Sequence, residues 1–264
     1  MHGMQQRLPP ERKGALEMSA LARVIDYETT GTPEDDDPEV IEMGSYDVNL
    51  TSRLLVHQSA FQSLCRPRGV IPPQTKAVHH ICEEDVRHAP PARDLWDRLL
   101  TGNGEPAWLV AHNAKFEQHF TPPWGIPWID TYKAARIVWP DAPGHSNQAL
   151  RYWLSLPCDR KLAEPAHRAL PDAYVTAHLF IRLLDHKTPE EMAKISEYPA
   201  LIKAIKFGKY RRNGTPMTFE QCAESDPDYL VWIRDESDMD EDTKFTCRYW
   251  LQKRAKRLAQ ASAA

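Results

Sequence analysis

The stretch Arg23-Val24-Ile25-Asp26-Tyr27-Glu28-Thr29-Thr30-Gly31 decides how the chain is read. Val24 and Ile25 open a strand-like run, and Asp26 and Glu28 interrupt it with two carboxylates. Side chains alternate along a strand, so residues two apart point to the same face. Two like charges side by side on a core-type strand repel each other and lose hydration. A divalent cation removes both costs, and carboxylate oxygens are the ligands that Mg²⁺ or Mn²⁺ prefers. Thr29, Thr30 and Gly31 add hydroxyls and a permissive backbone just beyond. An isolated Asp-x-Glu is more often the wet face of an edge strand, so the rest of the chain has to decide.

Outward from this stretch, an acidic loop at 34–37 is closed by Pro38. Residues 40–48 and 54–64 read as two further strands, which short turns join into an antiparallel meander. Ile71-Pro72-Pro73 reads as a rigid extended segment. Short helical turns follow at 77–81 and 83–86, then an amphipathic helix at 92–100. From there strands alternate with helices. Residues 108–111 and 128–130 are short strands, and a helix opens within 112–117. Helices are predicted at 131–138, at 146–156 with Leu150, Trp153 and Leu154 inward, and at 167–184. Strands first and alternation afterwards predict an α/β domain on a mixed sheet.

The expected organisation is a disordered leader (1–20), one domain (21–186), a polar linker with one helix (187–200) and a small C-terminal module (201–264). Met18 is an alternative start. That module holds an acidic run at 235–242 and closes on a basic helix from Thr243 onward. Charge runs of this kind are most often solvated faces.

Composition narrows the function. The 264 residues carry a net charge of −4, which neither announces nor excludes a nucleic-acid binder. No apolar run is long enough to span a bilayer, and the first sixteen residues lack the apolar segment of a secretory signal. Five scattered cysteines without a Cys-x-x-Cys pair point to a reduced, cytoplasmic setting. No Walker-type glycine loop is present. His79-His80-x-Cys82 looks like half a zinc site without a second ligand pair. Cys158 lacks the surroundings of a thiol nucleophile.

Three separated segments place carboxylates at strand ends or helix starts. They are Asp26-Tyr27-Glu28, His112-Asn113-Ala114-Lys115-Phe116-Glu117 and His167-Arg168-Ala169-Leu170-Pro171-Asp172. In this order they resemble the three motifs of the DEDDh family of 3′–5′ exonucleases, over about residues 23–184. The stretches Ala135-Arg136-x-x-Trp139-Pro140, Phe207-Gly208-Lys209-Tyr210-Arg211 and Asp226-Pro227-Asp228-Tyr229-Leu230-Val231-Trp232 extend the likeness through the C-terminal module.

The resemblance implies a ribonuclease-H-like fold with a mixed five-stranded sheet. It implies two Mg²⁺ or Mn²⁺ ions held by Asp26, Glu28, Glu117 and Asp172. Glu28 also contacts the terminal 3′ hydroxyl, and His167 is the general base, a role suited to a side chain that ordinarily titrates near neutrality. Two cations roughly 3.5–4 Å apart activate the attacking water and stabilise the leaving oxygen. Thr29, Thr30, His112, Asn113 and Phe116 resemble the residues that line the nucleotide site. Phe116 reads equally as core packing, and His112 and Asn113 equally as hydrogen-bonding turn residues. Lys209, Arg211 and Arg212 either track phosphates or are solvated charges. Tyr210, Tyr229 and Trp232 read as the core of the small module.

The expected substrate is DNA, as single strands or frayed 3′ ends, with nucleoside 5′-monophosphates as products. RNA 3′ ends are the alternative, since the same motifs serve both sugars. One position departs from the family: Glu117 stands where Asp is usual. The extra methylene lengthens the side chain by about 1.3–1.5 Å, against a tolerance of about 0.2 Å in metal–oxygen distance. A backbone shift, a rotamer change or an intervening water absorbs this. Otherwise the site is spoiled and the protein is a non-catalytic nucleic-acid-binding module.

Overall fold

The computed structural model describes residues 21–210 and 217–262. The leader, together with Arg211 and Arg212, lies outside the described residues. In chain order the elements are β1 (Leu21–Thr29), β2 (Val40–Asn49), β3 (Leu54–Leu64), α1 (Pro73–His79), α2 (Glu83–Val86), α3 (Trp96–Thr101), β4 (Trp108–Ala111) and α4 (Lys115–Phe120). They continue as β5 (Trp128–Asp130), α5 (Thr131–Val138), α6 (Asn147–Trp153), α7 (Ala169–Leu183), α8 (Pro189–Ser196), α9 (Phe219–Ser225), α10 (Pro227–Asp235) and α11 (Glu241–Ser262).

Two compact units are distinguished. One runs up to Ala111 and includes Lys115–Trp128 and Asp159–Ala177. The other comprises His112–Ala114, Ile129–Cys158 and the chain from His178 onward.

The five strands form one mixed sheet in the order β3-β2-β1-β4-β5. The predicted meander is present: β1 and β2 are antiparallel from Leu21 opposite Asn49 to Thr29 opposite Val40, and β2 and β3 are antiparallel. β1 runs parallel to β4, with Ala22 opposite Trp108 and Val24 opposite Val110. β1 is therefore the middle strand, which explains the continuous burial of Ala22–Ile25, while beyond them burial alternates and leaves Asp26 and Glu28 half-buried. Arg23 is tolerated there because Asp47, its cross-strand neighbour, accepts from Nε at 2.7 Å and Nη2 at 3.0 Å, while Nη1 donates to the Leu99 carbonyl. A register shift between Glu28 and Thr29 ends the regular pairing.

Three local expectations are corrected. The helix expected at 77–81 starts at Pro73, because proline suits a first helical turn, where its missing N–H has no partner to lose. The helix expected at 92–100 is a single 3-10 turn (Ala92–Asp94) followed by α3, with Leu95, Leu99 and Leu100 buried as the core side. On α6, Leu150 is buried but Trp153 is exposed.

In the second unit α9, α10 and α11 enclose a core of Ile205, Phe219, Cys222, Leu230, Ile233 and Cys247. Tyr210 and Tyr229 pack against it, whereas Trp232 lies flat on Tyr229 with much of its ring exposed. Gly208 has φ +56, and a Cβ there would collide with the Tyr229 hydroxyl. Only glycine meets both conditions.

Candidate active site

Asp26 and Glu28 leave β1 on one face, as strand alternation requires, and α7 brings Asp172 to them. Their carboxylate oxygens lie within 4.8 Å of one another. The close approach depends on β2: Gly44 is the cross-strand partner of Asp26, and a Cβ at Gly44 would sit 2.3 Å from the backbone of Ala169 and Leu170. The first turn of α7, carrying Asp172, rests on that bare glycine.

Glu42 fixes the same turn from below. It is fully buried opposite Glu28. Its carboxylate accepts from Arg168 Nη2 at 2.6 Å and Nε at 2.9 Å, from the Ala169 N–H at 3.0 Å and from Gln62 Nε2 at 2.7 Å. His167, next to Arg168, has an exposed side chain and a left-handed backbone (φ +60). Its N–H donates to Asp172 Oδ2 at 2.7 Å. The loop before α7 is thus tied at consecutive residues to one carboxylate of the cluster and one beneath it.

Glu117 is buried in the first turn of α4, outside the set of three. Its charge nevertheless acts on Asp26. Burial, then the charges of Asp172, Glu117, Glu28 and Glu42, push the Asp26 carboxyl well above its ordinary range. Burial, Asp172 and Glu42 push Glu28 to about 8, with Arg168 opposing. Several carboxylates crowded with little water form a donor set for a hard divalent cation, whose charge removes the repulsion.

The expected nucleotide-lining residues divide. The Thr29 hydroxyl donates to the Gly31 carbonyl at 2.6 Å, and Thr30 Oγ1 accepts the Glu39 N–H at 2.9 Å, so both shape the turn after β1. Phe116 is half-buried on α4, its ring 5.1 Å from that of Phe120.

In the second unit, His112 Nε2 lies 2.8 Å from the His145 carbonyl and Nδ1 lies 2.9 Å from Thr131 Oγ1. A carbonyl only accepts, so Nε2 carries the proton and Nδ1 accepts from the threonine. Burial pushes this imidazole down to about 4, which keeps it neutral. Asn113 adopts φ +77 with an exposed side chain, and its N–H and that of Ala114 donate to Asp130, each at 3.2 Å. Asp130 also caps α5 by accepting from Tyr132 and Lys133.

Sequence reasoning missed Glu42 and Asp130. Each lies within a predicted strand, and its partners lie far along the chain, so no local spacing marks either one. His79 is buried and accepts the Ile81 N–H at Nδ1, an ordinary loop role. All five cysteines are free, and burial pushes the Cys158 thiol up to about 11. No helix among the described residues is long and apolar enough to cross a membrane.

The profile of the Exonuclease family (RNase T type) matches residues 24–180, and the chain belongs to that family. Exodeoxyribonuclease 10 of Escherichia coli K12 is 33% identical over 235 residues, 88% of this chain and 99% of the relative. The DNA polymerase III subunit epsilon of Treponema pallidum is 29% identical over 178 residues, 61% of this chain and 75% of the relative. Among solved structures, exonuclease X in complex with 5′ overhanging duplex DNA aligns with a TM-score of 0.58 at 34% identity, covering 66% of this chain and 99% of that one. The nuclease domain of 3′hExo, a DEDDh family member bound to rAMP, aligns with a TM-score of 0.51 at 19% identity over 65% of this chain and 94% of that one, a likeness of fold.

Proposed function

We propose that this protein hydrolyses DNA from its 3′ end and releases nucleoside 5′-monophosphates, with residues 21–186 as the catalytic domain. The observation that carries this reading is the meeting of Asp26, Glu28 and Asp172 oxygens within 4.8 Å, next to the His167 loop. Asp26, Glu28, Asp172 and Glu117 would hold two Mg²⁺ or Mn²⁺ ions, with Glu117 acting directly or through water. When bound, such ions lower the pKa of a ligated water and neutralise the charge that develops on the leaving oxygen.

The chain's own residues do the rest. Asp26 and Glu28 stay deprotonated once their repulsion is relieved. His167, exposed at the head of α7, takes the proton from the attacking water. Arg168, held by Glu42, keeps that loop in place. Thr29, Thr30 and Phe116 would grip the terminal nucleotide, its base stacking on the ring without regard to sequence. His112 and Asn113 hold their own turn through Thr131, His145 and Asp130. DNA is favoured over RNA because exodeoxyribonuclease 10, at 33% identity, and exonuclease X with duplex DNA, at 34%, are both named for DNA. Reduced cysteines suit the cytoplasm.

Digestion of a 5′-labelled single strand with Mg²⁺, Mn²⁺ or EDTA tests this. The expected result is a ladder shortening from the 3′ end, lost in EDTA and in His167→Ala. A matched RNA strand cut faster than DNA would reverse the substrate assignment. Hydrolysis seen only in Glu117→Asp would make the natural protein a binding module.

A further inference from the structure

We propose that the exposed C-terminal half of α11 is a phosphate-binding surface that grips the nucleic-acid backbone. The inference rests on the nucleic-acid reading above and extends it to the second unit. The first half of α11 is anchored. Asp242, Thr243, Thr246 and Cys247 are buried, and Trp250 and Leu251 pack on the core of that unit. Beyond them, residues 252–261 are exposed except for the half-buried Arg254. At 1.5 Å per residue this is about 15 Å of helix without a packed face.

Its charge is one-sided. From Thr243 to the last residue there are six cations (Lys244, Arg248, Lys253, Arg254, Lys256 and Arg257) and no acid, in a chain whose net charge is −4. Lys253 and Arg257 reach Glu220 and Glu224 on α9. Arg254 and Lys256 have no ion pair among the described residues. Two bland explanations fail. Cations near a helix C-terminus complement the macrodipole, but that effect is confined to the last turn, and the last turn of α11 has no basic residue. Nor does local pairing explain the pattern: Lys253 with Lys256 and Arg257, and Arg254 with Arg257, are like charges at the spacings that weaken a helix. An exposed helical stretch that concentrates one sign of charge is complementary to a polyanion. A second copy of the same helix would be repelled.

The test uses the full chain and the double variant R254Q/K256Q, with R254K/K256R as the conservative control. Binding of a fluorescent single strand is followed by anisotropy in EDTA as salt is varied. Hydrolysis of thymidine 5′-(4-nitrophenyl phosphate), which offers a single phosphate, is followed in Mn²⁺. Removing two phosphate contacts lowers the slope of log affinity against log salt by about 1.4, so natural affinity falls about sevenfold more than the variant's when salt rises fourfold. The control keeps the natural slope, and all three proteins hydrolyse the ester equally. An unchanged slope in R254Q/K256Q overturns the proposal and leaves the helix to an acidic protein partner. Equal loss of ester hydrolysis also overturns it, because the variant then acts through the fold. If the slope falls as expected while no protein cleaves ester or DNA, the surface stands and the catalytic reading fails.

Discussion

Arg168 and Glu42, 126 residues apart, meet in a two-pronged ion pair of 2.6 and 2.9 Å directly beneath the carboxylate cluster. Glu42 is fully buried and Arg168 is about one-third exposed, so the carboxylate has the more to lose. Glu42→Gln leaves the guanidinium with one weak acceptor and frees the loop that carries His167. The expected cost is about 2–3 kcal/mol of stability, with a fall in kcat larger than any change in KM. A double-mutant cycle with Arg168→Gln measured by urea unfolding checks it; additivity of the two substitutions would contradict the coupling.

Gly44→Ala places a methyl group 2.3 Å from the start of α7. The helix must retreat, and Asp172 with it. Overpacking of this kind costs about 1–3 kcal/mol. Hydrolysis should fall further than stability alone explains, at temperatures where the variant is fully folded by circular dichroism.

Asp26→Asn separates catalysis from folding. It replaces a carboxyl whose ionised form burial and the neighbouring carboxylates disfavour, while keeping size and shape. DNA hydrolysis should vanish. In EDTA the melting temperature should rise by about 2–4 °C, the equivalent of about 1 kcal/mol in a protein of this size. A lower melting temperature would show that the cluster is not under electrostatic stress.

The pH dependence of the metal-free protein follows from Glu28. Its carboxyl titrates at about 8 in the fold against 4.5 as a free group. The fold therefore favours the protonated form. That contribution is complete below the unfolded value and is lost as pH rises through about 8, and Asp26 acts in the same direction. Thermal melts in EDTA should drop across this window, and saturating Mg²⁺ or Mn²⁺ should flatten the drop. Metal affinity should increase over the same range, since binding releases protons.

Much of this was legible in the sequence, for identifiable reasons. Asp26-x-Glu28 obeys strand alternation, so the shared face was predictable, and the three-stranded meander followed from hydrophobic runs between short turns. What escaped was non-local. Asp130 collects four backbone N–H groups from two segments, and Glu42 gathers donors from β3 and from the start of α7. A single carboxylate in a strand announces neither. The first turn of α1 is not legible because Ile71-Pro72-Pro73 reads as a rigid extended segment, whereas Pro73 opens the helix. Glu117 is buried and its charge acts on Asp26, while it lies outside the tight set of three.

The carboxylates stand on the middle strand of the sheet, where burial favours neutral side chains. Selection for heat resistance alone would push against them: a screen scoring only survival at high temperature should enrich neutral residues at positions 26 and 28 and so collect catalytically dead proteins. Any thermostabilisation of this scaffold needs an activity gate at every round.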